Sequence, residues 1–523
     1  MKIKVENLDK EFQTSGEDIL KDFLENSVKI NNFCNGKGTC GKCKIKILSG
    51  IVSPPSEKEK LLLSKEEIKE NIRLACQIFP ETDIEIRNFY QNSKLEILDQ
   101  GEIPDFKKFF RSGYGFAIDI GTTTIALYLV DLSTGEIVGK ISDINPQSKY
   151  GLDVMTRISF EYENPKGKDL LKEVLIKSLK ELLHRLIKDY DIEKNSIKEI
   201  IVAANTTMLH MLVGADAKKL GRFPYEAEFL QGQKFCARDL DIDFPANLYT
   251  LANVSAFIGS DIVAGVYLTK LKEKENTLFI DIGTNGEMVL KTRNKLYACS
   301  TAAGPALEAM NISYGMRAER GAIEEIKIEK DQIRLKIIGG KKAKGICGSG
   351  LLSAVAEAIE NKLINKRGRI IDPKNLENSN FRKKYIRENE NGKRFIILDE
   401  ENKIYLSQDD IRAVQLAKGA ILSGFLTLLQ IEKVEIEKLN SVIIAGAFGS
   451  HLKKSDISKV GILPKEVENL ITYVGNSSLV GAYMALMNPQ IKNEMEDLAK
   501  EISYVELSTS KDYEKTFARA MQF

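Results

Sequence analysis

Four cysteines, Cys34, Cys40, Cys43 and Cys76, fall within one short stretch of a 523-residue chain that has only seven. Thiolates are soft metal ligands, and such a set can enclose a two-iron cluster or a single zinc ion. The spacing C-x5-C-x2-C with a distant fourth cysteine lies close to the C-x4-C-x2-C…C frame of a [2Fe–2S] cluster. Zinc ribbons usually bring two C-x2-C pairs, and here only Cys40 with Cys43 makes one, so zinc is the rival reading. Gly36, Gly38 and Gly41 let backbone N–H groups turn inward toward sulfide, where hydrogen bonds stabilise added negative charge. From Asn26 to Ser56 there is no acidic residue, but Lys29, Lys37, Lys42, Lys44 and Lys46 are present. Such a loop raises a cluster's potential and offers a docking surface to an acidic partner.

A second chemistry is written twice. Asp119, Ile120, Gly121 and Thr122 recur as Asp281, Ile282, Gly283 and Thr284, each time closing an apolar strand. The glycine lets the turn approach a phosphate closely. Thr122, Thr123 and Thr124 in the first loop, and Thr284, Asn285 and Gly286 in the second, supply hydroxyl, amide and backbone donors. Asp119 and Asp281 stand where a carboxylate holds Mg²⁺ through water. Glu287, Asp261 and Glu308 could position a water for attack on a terminal phosphate, with Glu287 and Asp261 ahead of Glu308. Gly304 belongs to an alanine- and glycine-rich run expected to line the cleft, and Gly446 and Gly449 end a further strand. Gly348 and Ser349 open a helix that either binds a phosphate or sugar, or packs tightly on its sheet. His210 alternates with apolar residues and reads as a core histidine; Cys236, Cys299 and Cys347 read as small buried residues. Only three histidines occur, far apart, which disfavours a histidine metal centre or a Ser-His relay.

The elements that position these groups follow from alternation and punctuation. KIKVE and KEFQT predict a β-hairpin. Ser15 with Asp18 predicts a capping box before a short helix that buries Leu20, Phe23 and Leu24. The run 56–77 predicts a helical stretch delivering Cys76, and DIEI a closing strand. Residues 1–88 thus form a first unit. Residues 89–112 show no period and read as a tether that lets the cluster unit swing. From residue 113 the pattern strand, tight turn, strand, strand appears, and from residue 276 it returns. It predicts two similar α/β lobes, 113–275 and 276–523, around a cleft.

Bulk properties agree with this. Lys+Arg 76 against Asp+Glu 74 leaves +2, with no global field for nucleic acid. The apolar stretches are broken by charge before membrane-spanning length, and the N-terminus lacks a signal-peptide core, so a cytoplasmic location is expected.

The first unit resembles the ferredoxin β-grasp fold. The two phosphate loops with SVIIAGAFGSHL and YVGNSSLVGAYMALM resemble the superfamily of acetate and sugar kinases, Hsp70 and actin. With the cysteine frame and the segments NPQSKYGLDVMTRI and AANTTM, the whole chain resembles the reductive activators of corrinoid proteins. That resemblance implies a [2Fe–2S] cluster, ATP and Mg²⁺ as cofactors. It implies one electron passed to a cob(II)amide cofactor on a partner corrinoid protein and a low-potential donor upstream; the charge balance and hydropathy leave neither nucleic acid nor membrane as an expected partner, and a homodimer is left open. The alternatives are a small-molecule kinase with a redox-sensing cluster and an Hsp70-like ATP switch acting on a metalloprotein.

Overall fold

The computed structural model describes the chain except residues 27, 29, 31–35, 37, 39–40, 64, 90–100, 330–331, 341, 374–383, 390–391, 447–448 and 450–451. It divides into two compact units, Met1–Lys94 with Ser148–Leu152, and Leu95–Gln147 with Asp153–Phe523.

In the first unit β1 (Lys2–Val5) and β2 (Lys10–Gln13) form the expected antiparallel hairpin. With β3 (Lys44–Ser49), β4 (Ile72–Leu74) and β5 (Ile84–Asn88) they make a sheet of order β2-β1-β5-β3-β4, in which β5 runs parallel to β1. Alternation puts Ile3, Val5, Ile45, Ile84 and Ile86 on one face, and helix α1 (Ile19–Glu25) buries Leu20 and Phe23 against them. Two sequence expectations need correction. Asp18, not Ser15, caps α1, accepting from the Lys21 N–H at 3.1 Å; Gly16, at φ +86°, has already turned Ser15 away. The run 56–77 is not one helix either. Only α2 (Glu57–Leu62) and α3 (Lys65–Lys69) are helical, and Cys76 sits on a 3-10 turn, Ala75–Gln77, after β4. A buried pair decides this. Glu59 takes Arg73 through both oxygens at 2.9 and 2.7 Å and also accepts the Leu74 N–H, which holds 72–74 extended beside β3.

The body repeats one sheet. In the first lobe β6 (Tyr114–Ile120), β7 (Thr124–Asp131) and β8 (Glu136–Ile144) run antiparallel. Helices α4 (Val154–Glu163) and α5 (Gly167–Asp189) lead to β9 (Ile197–Ala204), parallel to β6, and α6 (Thr206–Val213) follows. Then β10 (Gln233–Cys236) and β11 (Asn247–Thr250) extend the sheet to the order β10-β11-β9-β6-β7-β8, and α7 (Ser260–Leu268) ends the lobe. The second lobe opens with β12 (Thr277–Ile282), β13 (Gly286–Lys291) and β14 (Leu296–Thr301). Two small sheets are inserted, β15–β17 (Ala322–Glu329, Gln332–Ile337, Gly345–Ile346) and β18–β20 (Ile386–Glu388, Arg394–Asp399, Ile404–Ser407), with α8 (Gly348–Glu360) between them. The sheet resumes with β21 (Ser441–Ala445), β22 (Ile471–Gly475) and β23 (Ile502–Tyr504) in the order β22-β21-β12-β13-β14-β23. The duplication is exact in register where it matters: Asp119 and Asp281 are each the penultimate residue of the first strand, beside Ala203 and Ala445 of the parallel neighbour.

One apolar core joins the lobes. Ala117, Tyr128 and Ile201 of the first share it with Phe279, Val289 and Ile443 of the second, through α7 and the Ser477–Met487 helix. The Gln408–Glu432 helix is long and apolar enough to cross a membrane by composition, yet 72% of its apolar window is buried in the body. The second half of the expected tether is also not free. The Phe109 N–H donates to Met487 O at 2.8 Å, Asn488 donates to Lys107 O at 3.1 Å, and Phe106 meets the Tyr483 ring edge-on at 5.8 Å. Residues 90–100 lie outside the described residues.

Candidate functional site

Cys43 and Cys76, the last two cysteines of the cluster frame, are brought together across 33 positions. Their Sγ atoms are 3.3 Å apart, and the side chains are 1% and 5% exposed. A disulfide would need about 2.05 Å, whereas two thiolates on one tetrahedral metal at ~2.3 Å lie roughly 3.7 Å apart. The observed pair therefore fits two ligands of one metal. The Ala75 N–H donates to Cys43 O at 2.8 Å, fixing the 3-10 turn against the start of β3. Gly38 and Gly41 take φ +67° and +64°, the left-handed turns expected of this loop. At Gly38 a Cβ would sit 2.5 Å from Gln77 Nε2, a group that approaches Cys76 Sγ at 3.6 Å. Sequence reading missed Gln77. Cys34 and Cys40 lie outside the described residues. Lys44 pairs with Glu67 at 2.6 Å and Lys46 with Glu70 at 3.9 Å, which weakens the positive field expected there. Of the other cysteines, Cys299 and Cys347 are buried as expected, but Cys236 is exposed, because β10 is an edge strand.

The two Asp-Ile-Gly-Thr loops face one another across the body's cleft. Gly121 N donates to Thr124 O at 2.9 Å and Gly283 N to Asn285 O at 3.0 Å, closing two turns of which the second is one residue shorter. Thr123 and Thr284 place their hydroxyl oxygens 3.3 Å apart, and both hydroxyls donate to Glu308 Oε2, at 3.2 and 3.5 Å. Glu308, ranked behind the other carboxylates by sequence, is thus the one that touches both loops. Asp119 is held from the far end of the chain: Asn476 Nδ2 donates to it at 3.0 Å and Ser478 Oγ at 2.8 Å. Asn476 is the N-cap, so that helix begins at Ser477. At Gly446, φ +92°, a Cβ would stand 2.6 Å from Asp281 Oδ1, so only glycine lets β21 end beside that carboxylate. Gly304 also takes positive φ, +72°, with open space around it.

Five carboxylates crowd this floor. Burial, then Asp281 and Asp119, push Asp261 up to about 8. Burial, then Asp119 and Glu308, push Asp281 up to about 7. Burial raises Asp119 and Glu308, with Ser478 and Thr123 opposing, and burial with Asp261 and Asp281 raises Glu287 well above the carboxylate range. Carboxylates held this close disfavour one another's charged form, and a cation bound among them would reverse that. Among the described residues no three His, Cys, Asp or Glu side chains converge as direct ligands.

The first loop has a second support that sequence reasoning missed. Arg157 of α4, fully buried, donates to Thr122 O and, at 3.2 Å, to Gln147 Oε1. Burial lowers its pKa to about 9. Asn145 donates to Gly121 O at 2.8 Å, and Asn205 to Thr122 Oγ1 at 3.1 Å. An arginine on an amphipathic helix reads as a surface residue, and no spacing within 145–158 sets Arg157 apart. His210 is buried as expected, with Nδ1 facing Thr206 O at 2.8 Å and Nε2 accepting from the Glu228 N–H at 3.0 Å. At Gly350 a Cβ would sit 2.0 Å from Ile323 O, which favours tight helix-on-sheet packing as the reason for the Gly348–Gly350 turn.

Comparison with known proteins separates iron from zinc. Residues 3–81 match the 2Fe-2S iron-sulfur cluster binding domain, 114–274 the RACo middle region, and 275–523 the C-terminal ASKHA domain of RACo. A corrinoid activation enzyme of Eubacterium limosum, RamQ, is 31% identical over 78% of this chain and 70% of its own length. The chain belongs to the reductive activators of corrinoid proteins. A Methanosarcina barkeri reductase of a Co(II) methylated amine-specific corrinoid protein is 26% identical over 76% of this activator and 75% of its own length. The solved structure of a reductive activator for corrinoid, iron-sulfur protein covers 100% of the activator at TM-score 0.71 and 30% identity. The activator accordingly carries a [2Fe–2S] domain and a two-lobed ATPase body that takes ATP and Mg²⁺.

Proposed function

We propose that this chain reductively activates a corrinoid protein, passing one electron to its cob(II)amide and regenerating the cob(I) state at the expense of ATP. The observation that carries the reading is the presence, on one chain, of a buried Cys43–Cys76 thiol pair at 3.3 Å and two Asp-Ile-Gly-Thr loops meeting across a carboxylate-lined cleft. A protein that only moves electrons needs no phosphate loop. The [2Fe–2S] cluster supplies a one-electron donor near about −400 mV, and each ~59 mV of uphill transfer costs ~1.4 kcal/mol. ATP need not meet the cluster: closing the lobes on nucleotide can favour one state of the bound partner over another.

Within the body, Thr122, Thr123, Thr284 and the backbone of Gly283–Gly286 hold phosphate, while Asp119 and Asp281 orient the water shell of Mg²⁺. Glu287 acts from beneath through Asn285, which donates to it. Glu308, touching both loops, is the carboxylate best set to orient the attacking water. Cys34, Cys40, Cys43 and Cys76 hold the cluster, and an external low-potential donor reloads it.

The test is anaerobic. The reduced chain is mixed with a cob(II)-loaded corrinoid protein, and cobalt and cluster spectra are followed with and without MgATP. Cob(I) forming only with MgATP is the expected result. A fully loaded cluster that never passes its electron, across several corrinoid proteins, sinks the reading.

A further inference from the structure

A face of the first lobe has no part in either cofactor site. Helix α4 turns Met155 and Tyr162, seven residues apart and so on one side of the helix, toward solvent; they are 45% and 63% exposed. Beside them Phe223 is 69% exposed, the most open phenylalanine among the described residues. Tyr162 and Phe223 line a cavity of about 290 Å³ with Lys218, Lys219, Arg222 and Glu226. The lining thus carries three cations against one carboxylate around two exposed rings. Isolated exposed apolar residues are ordinary, but an aromatic centre with an arginine-containing rim is the composition of a protein interface.

The same helix reaches the phosphate loop from its other side. Arg157, two residues after Met155, points inward and donates to Thr122 O. Glu161, one turn further, accepts the Ala217 N–H at 3.1 Å and so ties α4 to the segment bearing Lys218, Lys219 and Arg222. Ile158 lies between, packed where a Cβ on Gly221 would come within 2.8 Å. One short helix thus touches both this face and the first Asp-Ile-Gly-Thr loop.

We infer that the Met155–Tyr162–Phe223 face, with its rim of Lys218, Lys219 and Arg222, docks the corrinoid protein through an acidic contact surface, and that α4 couples this docking to the Thr122 loop. The inference rests on the function proposed above. Charge complementarity selects the occupant. A rim of net positive charge rejects a second copy of the same basic face and favours an acidic one.

The experiment uses the full chain with its cluster, and a cob(II)-form corrinoid protein that the wild-type chain reduces. Two variants are compared, Lys219→Glu/Arg222→Glu and, separately, Phe223→Ser; both change exposed side chains. Cluster absorbance and MgATP affinity should match wild type in each. The Kd for the corrinoid protein should rise at least tenfold, stimulation of ATP turnover by that protein should need correspondingly more of it, and wild-type binding should weaken with salt. Wild-type Kd in both variants overturns the docking site while leaving the proposed function standing. A shift in oligomeric state by light scattering, with corrinoid-protein affinity unchanged, assigns the face to self-association and equally overturns it. If the wild-type chain neither binds nor reduces any corrinoid protein, the proposed function fails first and the docking site with it.

Discussion

At the scale of single residues, the pairs that do chemistry are short and buried. Cys76 shares a metal-sized separation with Cys43, so Cys76→Ser or Cys40→Ala should prevent loading of a normal [2Fe–2S] cluster while MgATP binding survives; visible absorbance and calorimetry read the two separately. Asp281 lies in the other unit, and Asp281→Asn should show the reverse, an intact cluster without ATP-dependent electron transfer. His210 tests a different matter. Burial lowers its pKa below the ordinary value, and the native ring is neutral between Thr206 O and the Glu228 N–H. As pH falls below about 6.5 the unfolded chain takes a proton that the folded chain refuses, so stability drops until the lowered folded pKa is passed. The raised Asp261 and Asp281 gain stability over the same range, so the expectation is differential: between pH 7 and pH 5.5 the thermal midpoint of His210→Gln should move upward relative to that of the wild type, while lying below it at pH 7. A slope unchanged by the substitution would assign the acid sensitivity to other groups.

At the scale of elements, the Ser477–Met487 helix does two jobs. Its N-terminal residues hold Asp119 through Asn476 and Ser478, and its C-terminal end carries the strap around residues 106–111. Arg111 completes the strap, donating to Leu486 O at 2.8 Å and to Glu199 at 2.5 Å. A hydrogen bond to a charged group contributes about 1.5–3 kcal/mol. Ser478→Ala should therefore weaken MgATP binding roughly tenfold or more, with no change in cluster content; unchanged affinity would mean Asp119 keeps its place without that hydroxyl. The α2–α3–β4 run shows the opposite lesson. Its composition is helical, but the buried Glu59–Arg73 pair and the ladder to β3 override it, because an uncompensated buried charge costs more than a few weak helix propensities can supply.

At the scale of the whole molecule, the chain falls into a cluster unit and a nucleotide unit with separate cores. Ligand bound to one native unit stabilises that unit by mass action, about 2.7 kcal/mol at a hundredfold excess over Kd. Calorimetry should thus resolve two transitions, of which MgATP raises only that of the body. A single transition that moves as a whole would show the units to be thermodynamically coupled. The body itself should not split further, since its lobes share one apolar core through α7 and the Ser477–Met487 helix.

Much of this was legible in the amino-acid sequence because it is local. A cysteine frame, a strand ending in Asp-x-Gly-Thr, a hairpin and a repeated strand pattern are set by a few neighbouring residues, and the hairpin, the two loops and the buried His210 stand as the pattern implies. What the tertiary structure alone decided joins residues far apart in the chain. Glu308 reaches Thr123 across 185 positions, and Ser478 reaches Asp119 across 359. No periodicity marks Arg157 as the buried support of the Thr122 loop, or residues 106–111 as a docked strap rather than a tether. Local spacing encodes which atoms can do chemistry; only packing selects which distant side chains hold them in place.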